Sequence, residues 1–394
     1  MTHFNKYIFL ALSIFFLNNK SNAQLSDQAQ ISLLTCAEGE DIYSLFGHSA
    51  IRVNDPVNNI DNCYNWGMFE FDSDEIVFAT KFTKGRLKYY MDEQDFGYFM
   101  MEYDYFQRTV KEQVLNLTHE QKTDLWKALQ ENYLPENRVY KYDFFFDNCA
   151  TRIRDLLQNI IGDKLVLKTH PNENAYSLRE LLNKTVSQMP WLGFGMDLAL
   201  GSKVDIKAGN NKMMFLPKYM FEIYHETEIL INGKAQPLVL SERTLINGIN
   251  HEAESSFWSS PNFLFWSLFF ISVILTITKI RFLTKFWDGL LLLIFGVLGF
   301  VIFFLWFGTD HATMKPNFNV LWANPLYLFF IIPLMSKKLH NKLNKAYLGM
   351  SVLLILVIFG AMIIPQEFNS ATSPIILIFT FKFFYWYKET KRVV

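Results

Sequence analysis

Cysteine is scarce in this chain of 394 residues, which holds three. So few cysteines argue against a disulfide-stapled scaffold and against cysteine-rich metal sites. No His, Asp or Glu grouping has metal-ligand spacing and no glycine loop of the phosphate-cradling kind is present, so no metal or cofactor is expected. Charge of one sign is lacking as well. The formal net charge is −1 and no basic stripe occurs, which sets nucleic acid aside as a partner. Internal repeats are absent. What the chain has in excess is apolar and aromatic side chains, 51% and 17% of it, gathered at the N-terminus and after residue 260.

The first residues have the form of a secretory signal. Lys6 supplies a charged start, residues 7–17 form an apolar core too short to span a bilayer, and Ser21-Asn22-Ala23 offer small cleavage-site residues. A signal peptide over 1–23 is therefore expected, with Gln24 as the mature N-terminus. The exported domain should occupy 24–258 and a transmembrane domain 259–394. Apolar runs near 262–277, 286–307, 320–335, 346–364 and 374–387 predict an all-α bundle of about five helices. Lysine and arginine decide the orientation. Lys279, Arg281 and Lys285, then Lys337, Lys338, Lys342 and Lys345, then Lys388, Lys391 and Arg392 follow alternate spans. The links 308–319 and 366–373 hold only Lys315. Positive-inside asymmetry places 24–260 outside the cytoplasm and the C-terminus within it.

In the exported part, residues 140–162 carry the chemistry. Tyr140, Tyr142, Phe144 and Phe146 alternate with polar residues as a half-buried strand does. Asp147 and Asn148 suit an N-cap, and Ile153, Leu156, Leu157, Ile160 and Ile161 then follow helical spacing up to Gly162. Cys149 falls in the first helical turn, where the helix dipole favours a thiolate nucleophile. A nucleophile needs a base and a group to orient it. His48, one of eight histidines, follows Gly47 and begins a strand whose hairpin returns through Cys63, Tyr64, Asn65 and Trp66. Asn65 is the preferred orienting group, with Tyr64 and Asp147 as alternatives. Arg52 shares the His48 face of its strand, where a phosphate contact and a salt bridge are both open to it.

Further expectations are local. Residues 76–82 and 87–91 suggest more sheet, and 118–134 a helix with a Thr118/Gln121 capping box. Ser177/Glu180 should cap a short helix, residues 191–196 should form an apolar loop, and Asn232-Gly233 should turn a hairpin. Cys36 and Cys63 could pair or remain buried thiols. The link 309–319, with Asp310, His311 and Asn317, reads either as a locally bonded polar loop or as a headgroup-contacting one.

The order His48 before Cys149 reverses that of papain-like enzymes and resembles permuted papain-like folds such as lecithin:retinol acyltransferase. The segments LLTCAEGEDIYSLFGHSAIRV, YNWGMFEF and YDFFFDNCATRIRDLL, with the link TDHATMKPNFN, look like the Bacteroidota-type lipoprotein N-acyltransferases (Lnb). That resemblance covers nearly all the mature chain. It implies an α+β periplasmic domain, permuted papain-like with an antiparallel sheet and a catalytic helix, joined to the membrane bundle in the inner membrane. It also implies that Cys149, with His48 as base, takes an acyl chain from a membrane glycerophospholipid as a thioester. The chain would pass to the α-amine of a diacylated lipoprotein, with Asn148, Arg52, Tyr64, Asp310, His311 and Asn317 as candidate substrate contacts. The alternatives are a periplasmic cysteine amidase or peptidase acting on cell-wall peptides, and a non-catalytic membrane sensor or assembly protein.

Overall fold

The computed structural model describes residues 24–41, 43–70, 74–249, 256–278 and 280–391. The expected signal peptide, Lys279 and Arg392 lie outside the described residues.

The N-terminal part is α+β. Its elements begin with β1 (Gln30–Cys36), β2 (His48–Asp55), β3 (Ile60–Met68), α1 (Glu75–Thr83), β4 (Tyr89–Asp95) and α2 (Phe96–Tyr105). Next come β5 (Val110–Leu115), α3 (His119–Tyr133), β6 (Val139–Tyr140), α4 (Cys149–Ile161) and β7 (Leu165–Val166). The part closes with α5 (Leu178–Thr185), α6 (Pro190–Ala199), α7 (Asn210–Met213), α8 (Pro217–Glu226), β8 (Glu228–Ile231), β9 (Lys234–Pro237) and β10 (Val239–Ile246). Antiparallel pairing gives a seven-stranded sheet in the order β10-β5-β1-β2-β3-β4-β6. One face carries Leu33, Ile51, Val53, Tyr64 and Trp66, which pack with Cys149, Ile153 and Leu157 of α4 into the main core. The other face carries Cys36, Ala50 and Cys63 and is covered by Phe99 and Tyr103 of α2. Cys36 and Cys63 are buried free thiols.

Local signals behave as expected where they are caps and turns. The Thr118/Gln121 and Ser177/Glu180 boxes form, and Asn232-Gly233 joins β8 to β9. Three expectations need correction. Residues 76–82 are helical, because Asp74 accepts from the Ile76 and Val77 amides and starts α1. Residues 191–196 belong to α6, which Pro190 starts and which packs Phe194 and Trp191 on Phe265. The strand expected to run into the Cys149 helix stops at Tyr140. Asp143 then accepts from the Phe145 and Phe146 amides and pairs with Asp147 in a tight turn, so Phe145 is buried and Phe146 exposed.

The C-terminal part is helical: α9 (Pro261–Thr278), α10 (Arg281–Phe307), α11 (Tyr327–Met335), α12 (Lys337–Lys342), α13 (Asn344–Gly360) and α14 (Thr372–Lys391). Among the described residues, α9 and α10 are long and apolar enough to cross a membrane, while α13 is apolar but shorter. The run 320–335 is not one helix. A 3-10 turn at Phe318–Leu321 precedes it, Asn324 accepts from Leu326 N, and α11 has 9 residues. At 1.5 Å per residue that is about 14 Å, half the hydrocarbon core. Lys382 of α14 is buried against Asp288 of α10 at 2.6 Å and donates to Thr276 of α9.

A buried polar hub joins the two parts. Arg179, 1% exposed, donates to Asp205 at 2.6 Å, to Asp197 at 3.0 Å and to the carbonyl of Gly201 at 2.9 Å. Asp197 also accepts from Asn369 Nδ2 at 2.8 Å, and its carbonyl from Asn319 Nδ2 at 2.8 Å. Asn317, fully buried, donates to the carbonyls of Leu198 and Ala199 at 2.8 and 3.1 Å. The lysine-poor links 308–319 and 366–373 thus carry contacts to the N-terminal part.

Candidate active site

β2 and β3 pair with Ala50 opposite Asn65. Residues two apart on a strand share a face, so His48 and Asn65 lie on the same side. His48 Nε2 and Asn65 Oδ1 are 3.0 Å apart. An amide oxygen only accepts, so Nε2 carries the proton and Nδ1 keeps its lone pair. Tyr64 faces the opposite side. Its hydroxyl donates to Glu93 at 2.7 Å and accepts from Gln130 at 2.8 Å, which separates it from His48.

Cys149 is the first residue of α4, 9% exposed. Asn148 is the N-cap: it accepts from Thr151 N, while Thr151 Oγ1 accepts from Asn148 N. The Asn148 amide also donates to the carbonyls of Phe144 and Phe215, both at 2.8 Å, so this side chain is committed to holding the turn. Asp147 takes no part in capping. It binds Arg152 through both oxygens, at 2.6 and 2.9 Å, and the Arg152 guanidinium lies 3.6 Å over the Tyr140 ring.

The Cys149 sulfur is approached by the backbone N–H groups of Ser49, Ala150 and Cys149 itself. Ser49 directly follows His48, so one stretch of β2 supplies both the imidazole and an N–H at the sulfur. Burial is the largest influence on the thiol and raises its pKa above the ordinary value; the three N–H groups and Arg108 oppose the shift. His48 is half-buried, yet the protein packed around it holds its pKa down at about 4. The Asn65 bond pulls the other way. Thiol and imidazole are therefore both neutral at rest. The helix terminus does not sustain a standing thiolate, because desolvation outweighs it.

Gly67 lies beside Cys149. It sits at φ +88°, and a β-carbon there would lie 4.0 Å from Cys149 Cβ, 4.0 Å from Tyr140 Oη and 3.6 Å from Tyr142 Cε2. Two tyrosines thus lie next to the nucleophile, around Gly67. Sequence reading placed them on a strand and gave them no role; their closeness to Cys149 depends on the turn at Asp143. The Ser49 N–H was also missed, since nothing local marks it.

The other sequence-predicted residues have partners of their own. Arg52 is buried in ion pairs to Asp61, at 2.7 and 2.8 Å, and to Glu112, at 3.0 Å, with the Phe96 ring 3.4 Å from its carbon. Of its two open readings the salt bridge holds. Asp310 pairs with Arg86 at 2.7 Å, and its carbonyl accepts from Lys141 Nζ at 3.0 Å. His311 Nε2 lies 3.0 Å from the Phe82 carbonyl. Asn317 is fixed in the hub. No group of three or more potential metal ligands occurs among the described residues.

Two family models match the chain. The model described as the Lnb N-terminal periplasmic domain covers residues 18–184, and the one described as the Lnb transmembrane domain covers residues 252–393. Neither the curated proteins nor the solved structures include a match.

Proposed function

The chain belongs to the Lnb family, and from that membership and the Cys149 geometry we propose a lipoprotein N-acyltransferase that works through a Cys149 thioester. The observation that carries the reading is Cys149 at the α4 N-terminus with the Ser49 N–H at its sulfur, and, one residue before Ser49 on the same strand, His48 bonded to Asn65.

His48 Nδ1 takes the thiol proton as the sulfur attacks the ester carbonyl of a glycerophospholipid in the outer leaflet. The resting pair is neutral, so deprotonation accompanies attack. The tetrahedral oxyanion is met by backbone N–H groups at the start of α4 and at Ser49. When the C–O bond breaks, the imidazolium proton goes to the departing lysophospholipid alkoxide, and the acyl group remains on Cys149. The α-amine of a diacylglyceryl-cysteine then attacks the thioester. Its proton passes through His48 back to the sulfur, and an amide leaves. No oxidant, metal or nucleotide enters the balance. Asn65 holds the imidazole in the tautomer that both half-reactions need.

The domain plan fits two lipid substrates. Residues 24–258 form the periplasmic domain and 259–394 the membrane domain, with five membrane segments: α9, α10, α13, α14 and residues 320–335, of which the helix α11 is only a part. The lysine-poor links touch the periplasmic domain, so the lysine-rich links and the C-terminus belong on the cytoplasmic side of the inner membrane. The α4 helix against an antiparallel sheet carrying His48 and then Asn65 supports a permuted papain-like description.

The test is to express wild type, Cys149→Ser and His48→Ala in cells depleted of their own lipoprotein N-acyltransferase. Mass spectrometry of lipoprotein N-termini should find a third acyl chain with wild type alone. Triacylation that persists with Cys149→Ser would overturn the reading.

A further inference from the structure

The helix α1 is anomalous for a folded domain. Its sequence EIVFATKFT is mostly apolar, yet none of its residues is buried. Ile76 is 78% and Phe82 54% exposed. Such a face on a short helix costs free energy in water and is stabilised only when something apolar covers it.

Its location identifies the cover. The C-terminal end of α1 is bound to the link that follows the apolar helix α10. Asp310 N donates to the Lys84 carbonyl at 2.9 Å, Arg86 pairs with Asp310, and His311 Nε2 meets the Phe82 carbonyl. The His311 ring packs against Gly85, where a β-carbon would come within 3.1 Å. α10 ends at Phe307 and this link begins at once, so α1 is held at the outer boundary of the hydrocarbon core.

From α1 a row of aromatic rings leads inward. Phe82 stacks on Phe78 at 6.5 Å, Phe78 lies 6.0 Å from Phe69, and Phe69 lies 5.4 Å from Tyr89. Tyr89 stacks on Tyr142 at 4.4 Å. Tyr142 packs on Gly67, beside Cys149. A half-exposed helix and the nucleophile are thus joined by continuous apolar surface.

We propose that α1 dips into the outer leaflet and that the aromatic row conducts the acyl chain of a membrane glycerophospholipid to Cys149. The proposal rests on the acyl-donor reading above. The occupant of α1 is the leaflet, because α1 is continuous through Asp310 and His311 with the membrane-spanning part. Rings at these separations offer flat hydrocarbon contact along the chain, with the Tyr89 and Tyr142 hydroxyls only at the end nearest Cys149.

The test uses the full chain in proteoliposomes that contain a phospholipid with a photoreactive diazirine in its acyl chain. Photolysis should place lipid adducts on residues 75–83 and on Tyr89 or Tyr142. Adducts confined to the transmembrane helices, with α1 bare or cross-linked to a second copy, overturn the proposal. A second readout is hydroxylamine-labile acylation of Cys149 from donors of long and short chain. In wild type long chains should be preferred; Ile76→Asp with Phe82→Asp should reduce that preference by about tenfold or more. An unchanged preference also overturns it. Failure of wild type to acylate Cys149 at all would instead sink the acyltransferase reading, while adducts on α1 would still establish the docking.

Discussion

Arg179 is buried and His48 half-buried in the periplasmic domain, and the surroundings of these two polar side chains differ in one respect. Around Arg179 two carboxylates and backbone carbonyls meet the guanidinium, and asparagines of the membrane part complete Asp197. His48 has one nitrogen bonded to Asn65, and among the described residues Nδ1 has no hydrogen-bond partner. The contrast separates architecture from chemistry. A satisfied buried network fixes the relative position of two domains. A site left one bond short, with its base and nucleophile both held neutral by burial, keeps capacity for a reacting molecule.

The sharpest way to break this contrast is to exchange the consequences. Cys149→Ser should lower acyl transfer by about a thousandfold or more and leave the thermal unfolding midpoint almost where it was. A loss of folding with Cys149→Ser would make it a packing residue. Arg179→Met should do the reverse: about 3–5 kcal/mol of stability should go, because Asp197 and Asp205 remain buried without their cation. Denaturation of detergent-solubilised protein measures this, and a variant as stable as wild type would remove the hub from the argument.

Smaller effects sharpen the site. Asn65→Ala should reduce kcat about 10–100-fold with KM little changed, since it releases the imidazole without touching substrate. A change confined to KM would point to a binding role. The pH profile carries a sign. Only neutral His48 accepts the thiol proton, and burial lowers its pKa to about 4. The rate of thioester formation should therefore hold through pH 6 and fall as pH drops through about 4. The Asn65 bond favours the charged ring, so Asn65→Ala should move that limb lower still. An acid limb near 6.5 in wild type would contradict the enclosed imidazole. Last, Arg86→Gln breaks an exposed pair with Asp310. No resolvable change in the unfolding midpoint is expected, because exposed pairs contribute little in solvent.

Reading the chain alone went furthest where the signal is short-ranged. The capping boxes at Thr118 and Ser177 and the Asn-Gly turn each depend on three or four neighbouring residues, and all form. The alternation from Tyr140 to Phe146 misled because an Asp143 side chain bonding its own backbone overrides period two. Ile76 to Phe82 has strand-like composition, but the Asp74 cap starts a helix there. The run 320–335 is apolar enough to span, but Asn324-Pro325 interrupts it. Arg52 was assigned to the His48 face correctly, yet its fate turns on Asp61 and on Glu112, sixty residues away.

The sequence by itself determined that a cysteine starts a helix, that a histidine starts a strand, and that an apolar C-terminal part follows an exported one. Those facts follow from periodicity, caps and charge, which act over a few residues. Tertiary structure alone decided that Asn65 and not Tyr64 faces the imidazole, that thiol and imidazole rest neutral, and that Tyr140 and Tyr142 come to lie around Gly67 beside Cys149. Register and burial depend on which distant segments meet, and desolvation, the largest influence on Cys149 and His48, exists only once they have met.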